Sequence, residues 1–267
     1  MTRTWQGVWE QPAGPDDRLA SVIPIAVVGF LHRSLGCPNT RSGALDARPP
    51  SWPMELTPFT VQAGRACPTH ADLALALAAE FRPPVASTGD RLDNLAAALL
   101  AVRDEDAGDQ LACCAEAVAG RLESRDLEWA GIDDLLLDRV VADGAGHPLA
   151  LAVVCVEAAR RAGIELGVVA GGAGCFVAHP LLDEPLLVDV ARGGRVIEAG
   201  GRADTGGWQC SHQVAARMLN RIGERAEHTG NVAWALRAAE LRLALPFARP
   251  VLDELRHALA HLRARMN

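Results

Sequence analysis

Apolar positions recur at helical spacing through much of the chain. Leu73, Leu75, Leu77 and Phe81 follow Thr69, a residue able to cap a helix, and Pro83-Pro84 ends that segment. Asp90 opens a second helix through Leu92, Leu95, Leu99 and Val102. Asp106 to Leu122 reads as a third, with Leu111, Cys114, Val118 and Leu122 along its apolar stripe. A short fourth helix, Ile132 to Val141, buries Leu136, Leu137 and Val140 and stops at Asp143-Gly144.

The period changes after Gly146. Gly146-His147-Pro148 predicts a turn, and Leu149 to Ala162 a helix with Leu151, Val154, Cys155, Ala158 and Ala162 on one face, closed by Gly163. Three short β-like runs follow, Leu166–Ala170, Cys175–Ala178 and Leu186–Val190, with Arg195–Ile197 as a fourth, separated by Gly- or Pro-containing turns. A helix feeding an antiparallel meander makes the fold class α+β. The chain then returns to helix. Val214, Met218 and Ile222 face one way, His228-Thr-Gly-Asn231 turns, and Val232, Leu236, Ala239 and Leu243 answer before Pro246. Such a hairpin cannot bury its own face, so it must dock on the α+β core or on the last helix, Val251 to Met266.

Residues 1–53 differ from the rest: seven prolines interrupt polar and Gly-containing sequence without a sustained period, which predicts a disordered tail or a start-site extension. The expected organisation is therefore 1–53 as tail, 54–205 as an α+β domain and 206–267 as a C-terminal helical region.

Charge and composition narrow the chemistry. The 267 residues carry a formal charge of −7 with no concentrated basic run, so neither nucleic acid nor an anionic membrane is expected as partner. All 26 basic residues are Arg and Tyr is absent, which removes lysine Schiff-base chemistry, a P-loop lysine and a tyrosine acid. The apolar run from Ser21 to Phe30 is too short to span a bilayer and is broken by Pro24. Seven cysteines in an acidic chain read as reduced thiols in the cytoplasm.

A resemblance adds to this reading. Asp138-Arg-Val-Val, then Gly146-His-Pro-Leu-Ala-Leu-Ala-Val-Val-Cys-Val-Glu-Ala-Ala-Arg-Arg-Ala-Gly163, then Gly172-Ala-Gly-Cys-Phe-Val177, then Leu187-Val-Asp189 with Gly193-Gly194, resemble the SirB-type branch of the transglutaminase-like superfamily. The segment from Met218-Leu-Asn-Arg to Pro246 is similar to the tetratricopeptide-like unit that follows this domain in that branch. The superfamily's chemistry uses a Cys at the start of the helix, a His on one strand and an Asp on the next. Members of the SirB branch often carry Ser in place of the Cys. Carried over, those positions fall on Ala150, Cys175 and Asp189. A methyl group cannot attack a carbonyl, and a thiol cannot serve as an imidazole base near neutral pH, so the resemblance implies a degenerate member. Asp189 then becomes a strand-end carboxylate accepting turn amides near Arg192 to Gly194.

Other residues could restore chemistry. Cys175 follows a Gly-rich turn, with His147 and His212 as candidate partners; His179 lies roughly 13 Å along an extended strand, too far for contact. Cys155, Cys113 and Cys114 read as core. Cys210-Ser-His212 lacks a second metal-ligand pair and reads as loop and cap. Gly171 to Gly174 sits between strands, so it reads as a tight turn rather than a phosphate loop. Arg160-Arg161 reads as a solvated helix end, and Trp234 as packing inside the hairpin.

Two functions follow: a non-catalytic protein- or peptide-binding or regulatory module, or a cysteine-dependent acyltransferase or peptidase using Cys175. A third is a scaffold whose last helix pairs with another subunit. Neither cofactor nor metal is expected, and the oligomeric state stays open.

Overall fold

A computed structural model describes residues 57–125, 131–171, 174–182, 186–198 and 207–265. The expectation for residues 1–53 lies outside them. In chain order the elements are α1 (Phe59–Ala63), α2 (His70–Ala79), α3 (Thr88–Ala97), α4 (Ala107–Ala117), β1 (Glu123–Ser124), α5 (Leu137–Asp143), β2 (Ala145–Gly146), α6 (Pro148–Ala162), β3 (Gly167–Gly171), β4 (Gly174–Ala178), β5 (Leu186–Asp189), β6 (Arg195–Glu198), β7 (Trp208–Gln209), α7 (Ser211–His228), α8 (Val232–Arg242) and α9 (Arg249–Ala264). The α+β class read from the sequence is the class observed.

Local chemistry sets the boundaries. Thr69 accepts a hydrogen bond from the Asp72 amide and starts α2, and Asp106 accepts from the Gly108 and Asp109 amides to start α4. Three predicted helices are shorter than their apolar patterns: the third ends at Ala117, after which Ala119–Arg121 form a 3₁₀ turn and Leu122 is extended. The second begins at Thr88, ahead of Asp90, and ends at Ala97, after which Leu100–Val102 form only a 3₁₀ turn. The fourth splits: a 3₁₀ turn at Asp133–Leu135 precedes an extended Leu136, and only then does α5 begin. The split follows from Asp134, whose carboxylate is held by Arg125 and the Gly131 amide while its carbonyl accepts from the His147 amide at 2.8 Å.

β3 to β6 form the expected antiparallel meander, and β7 adds an edge the pattern did not predict, giving the order β6-β5-β4-β3-β7. β1 and β2, also unpredicted, pair in parallel. Two residues per strand are too few for a period-2 signal. In the main sheet Val168, Val177 and Val188 pair across the strands and face the principal core, whereas Val169, Phe176, Ala178, Leu187 and Ile197 form a small cluster on the opposite face.

Helix α6 is the centre of the molecule, packed on β3 and β4 and on α2, α3 and α5. The expected single apolar face is a correction: residues from Pro148 to Ala159 are all buried, because partners lie on every side. The expected solvated Arg160-Arg161 end is corrected at Arg161, which is largely covered, whereas Arg160 is exposed. Both guanidiniums grip the buried Glu157 carboxylate at 2.8 Å, and Arg161 also bonds Asp93 at 2.6 Å. The hairpin α7–α8 docks through α7 on α2 and α6 and through α8 on α9, so both docking options are realised. Trp234 packs against the core and also beyond the hairpin. It meets Phe81 edge-to-face at 5.6 Å, with Arg82 stacked 4.6 Å from its centroid, and so ties α8 to the end of α2. Among the described residues no helix is long and apolar enough to cross a membrane.

Candidate functional site

The start of α6 is built around His147. It is extended at the N-cap, its Nδ1 accepts from the Leu149 amide at 3.0 Å, and Pro148 occupies the first helical position, where no amide hydrogen is required. The carbonyl of His147 takes the Ala150 and Leu151 amides at 2.9 and 3.0 Å. Ala150, the position that the resemblance assigns to the nucleophile, is therefore a fully buried methyl in the first turn. Gly146 allows this approach: a Cβ there would lie 2.6 Å from Val140 Cγ2 and 2.9 Å from the Asp134 carbonyl.

Because Nδ1 accepts an amide hydrogen, the imidazole proton sits on Nε2. Burial, with Arg221 and Arg217 adding their repulsion and Asp134 opposing, lowers the His147 pKa to about 4. The ring is neutral at pH 7. Its Nε2 is buried and has no hydrogen-bond partner.

Cys175 lies on β4 and faces α6. Burial pushes its thiol up to about 12, with Arg217 pulling the other way. The Cys155 thiol, hydrogen-bonded to Cys114 and buried next to Cys175, is held well above the usual thiol range. Among the described residues no imidazole bears on either thiol. Asp189 pairs with Phe176, the residue after Cys175, so the pleat sets Asp189 and Cys175 on opposite faces of the sheet. The Asp189 carboxylate accepts the Ala191 amide at 3.1 Å and lies 3.8 Å from Arg192, while the Gly194 amide bonds its main-chain oxygen. The carboxylate thus takes the Ala191 amide rather than the expected amides of Arg192 to Gly194.

Three other histidines, His70, His179 and His212, are tied to other partners. His212 meets the Ala63 carbonyl at 3.0 Å, His70 the Gln209 carbonyl at 3.0 Å, and His179 the Gln110 side chain at 2.9 Å. Burial lowers the pKa of each. Cys210 caps α7, and Gln213 reaches back to its amide at 2.9 Å. Among the described residues no group of three or more His, Cys, Asp or Glu is arranged to hold a metal ion.

Set against known protein families, residues 89–204 match the transglutaminase-like superfamily, a span containing α6 and the meander β3–β6. Residues 89–204 are a transglutaminase-like superfamily domain. No curated protein and no solved structure matches the chain.

Arg217 reaches the transglutaminase-like domain from α7, beyond the matched residues, and acts electrostatically on both His147 and Cys175. Its Nη1 is buried without a hydrogen-bond partner. The sequence reading passed over it. The available signal was its position one residue before Met218, at the margin of the buried Val214-Met218-Ile222 stripe, where an arginine is half covered by its own helix.

Proposed function

We propose that this chain is a non-catalytic member of the transglutaminase-like superfamily, of the SirB-type branch, and acts in the cytoplasm as a protein- or peptide-binding, regulatory module with its tetratricopeptide-like hairpin. The observation that supports the reading is the side chain in the first turn of α6: a buried alanine methyl stands at the position that the resemblance assigns to the attacking atom. Cys175 supports it from the strand side, because a buried thiol with a pKa of about 12 supplies almost no thiolate at pH 7. Asp189, committed to the Ala191 amide, has no imidazole to orient. Loss of chemistry with retention of the scaffold leaves recognition as the selected property.

The test is turnover by the full chain. Amine incorporation into glutamine peptides, peptide hydrolysis and ester hydrolysis are measured for the wild type and for Cys175→Ser. Both should stay at the rate of the buffer blank. Turnover by the wild type that disappears in Cys175→Ser would establish the cysteine-dependent acyltransferase or peptidase instead.

A further inference from the structure

Charge is unevenly divided along the chain. Residues 207–267 hold nine Arg against five Asp and Glu, a net +4, and residues 1–56 hold five of each, so the overall −7 leaves −11 on residues 57–206. The cationic helices also carry a groove. It lies between α8 and α9 and measures about 620 Å³, within the range of ligand clefts, roughly 300–1,000 Å³. Its lining follows from helical spacing. Arg256, Leu259, Ala260, Arg263 and Ala264 recur every three or four residues and so share one face of α9, which Glu240 and Leu243 meet from the end of α8. Leu243 and Leu259 make an aliphatic floor, and the short side chains of Ala260 and Ala264, both exposed, keep the groove open. The rim is cationic, because Arg256 and Arg263 are each 59% exposed and lie two turns apart. Arg256 uses Nη1 on Asp253 at 2.7 Å, and Arg263 uses Nη2 on Glu240 at 2.9 Å. A guanidinium has five N–H donors, so each keeps an edge for a second carboxylate. Exposed pairs of this kind contribute little, so exchanging them for a partner's carboxylates costs little. Glu240 is itself shared between Arg263 and, at 3.6 Å, Arg237.

We propose that this groove docks an acidic amphipathic helix of a partner protein, with its aliphatic side chains on Leu243 and Leu259 and its carboxylates on Arg256 and Arg263. A helix presents aliphatic and acidic residues at the same three-to-four spacing that α9 offers them. The lining holds no aromatic ring on which a base could stack, and the −11 on residues 57–206 opposes a polyanion, so a peptide is favoured over nucleic acid. Residues 1–56, with no net charge, lack the complementarity of an acidic partner. The proposal rests on the binding role stated above and gives that role a surface and a partner chemistry. The two are separable, since that reading fails on turnover and this one on peptide capture.

The probe is a fluorescein-labelled helical peptide of about 14 residues, with Leu at every third and fourth position and Glu and Ala elsewhere. It is titrated with the full chain at pH 7 and low ionic strength and followed by anisotropy. Saturable binding is expected, weakening as salt is added. The same peptide with Gln in place of Glu should bind about tenfold more weakly, and so should the acidic peptide to Arg256→Glu. Ala260→Trp fills the groove without touching an ion pair and should weaken binding by a similar factor, which keeps the test decisive if Arg256→Glu does not fold. Arg195→Glu on β6 should leave binding unchanged. Absence of saturable binding, equal binding of the Gln peptide, or unaltered binding by the folded groove variants would overturn the proposal. Displacement of the acidic peptide by polyuridylate would overturn it in favour of RNA. A light-scattering mass that doubles with concentration in the wild type but not in Ala260→Trp would overturn it in favour of a second copy of the chain.

Discussion

The two ring nitrogens of His147 answer to different neighbours. Nδ1 closes the first turn of α6, and that acceptance places the proton on Nε2, where two guanidiniums discourage a second charge. The consequence is a pH dependence with a defined sign. The folded pKa of about 4 lies below the ordinary 6.5, so the contribution to stability is complete above pH 6.5 and is lost as pH falls towards 4. Between pH 7 and pH 5 the loss attributable to His147 is about 2 kcal/mol. His70, His179 and His212 shift in the same direction, whereas burial raises the Asp138 pKa and opposes them at the acid end. His147→Asn keeps a good capping oxygen and removes the titration, so the difference between variant and wild type isolates this one ring. Urea unfolding at both pH values should give a stability change smaller by that amount in the variant; equal changes in the two proteins would refute the assignment.

At the scale of elements, α6 and the loop after β5 show how close approach dictates residue type. Gly194 has φ +79°, and a Cβ there would lie 2.3 Å from the Ala115 carbonyl on α4 and 2.9 Å from the Ala119 methyl. Both the backbone conformation and the space reject a side chain. Gly194→Ala should therefore destabilise the protein by about 3 kcal/mol, read as a lower urea midpoint at unchanged slope. Gly193, also at positive φ but with nothing within 4 Å of a notional Cβ, should lose only about 1 kcal/mol on the same substitution. A larger effect at Gly193 than at Gly194 would show that the packing of this loop on α4 is misassigned. Glu157 illustrates the complementary case: a buried carboxylate on α6 is tolerated because two successive arginines reach it from about one turn further along the helix.

At the scale of the whole molecule, the peripheral and central layers differ in what they bury. α9 buries only Leu255 and Leu259, with Val251, Leu252 and Leu262 half-buried, and adds exposed ion pairs, Arg263 with Glu240 and its C-cap Arg265 with Glu227. Exposed pairs add little, so ending the chain at Ala248 should leave one cooperative thermal transition and cost about 4 kcal/mol, mainly from the two leucines. Loss of cooperative melting would mean that the core depends on α9.

By itself the sequence determined what depends on near neighbours along the chain. Thr69, Asp106, Asn231 and the Gly144 and Gly163 stops mark helix ends because caps act within a few residues, and the α+β class followed from the change of period after Gly146. The positions Ala150, Cys175 and Asp189 were legible too, as a resemblance carried by contiguous residues. Only the tertiary structure decided what those positions meet. That Asp189 turns away from Cys175 is a property of strand register, that α6 is buried all round is a property of its partners, and that the charge of Arg217 bears on His147 depends on how a hairpin 70 residues later lies on the domain. Contacts between residues so far apart leave no periodic trace, because the free energy that selects them arises from packing and desolvation across elements, which no local window of the chain contains.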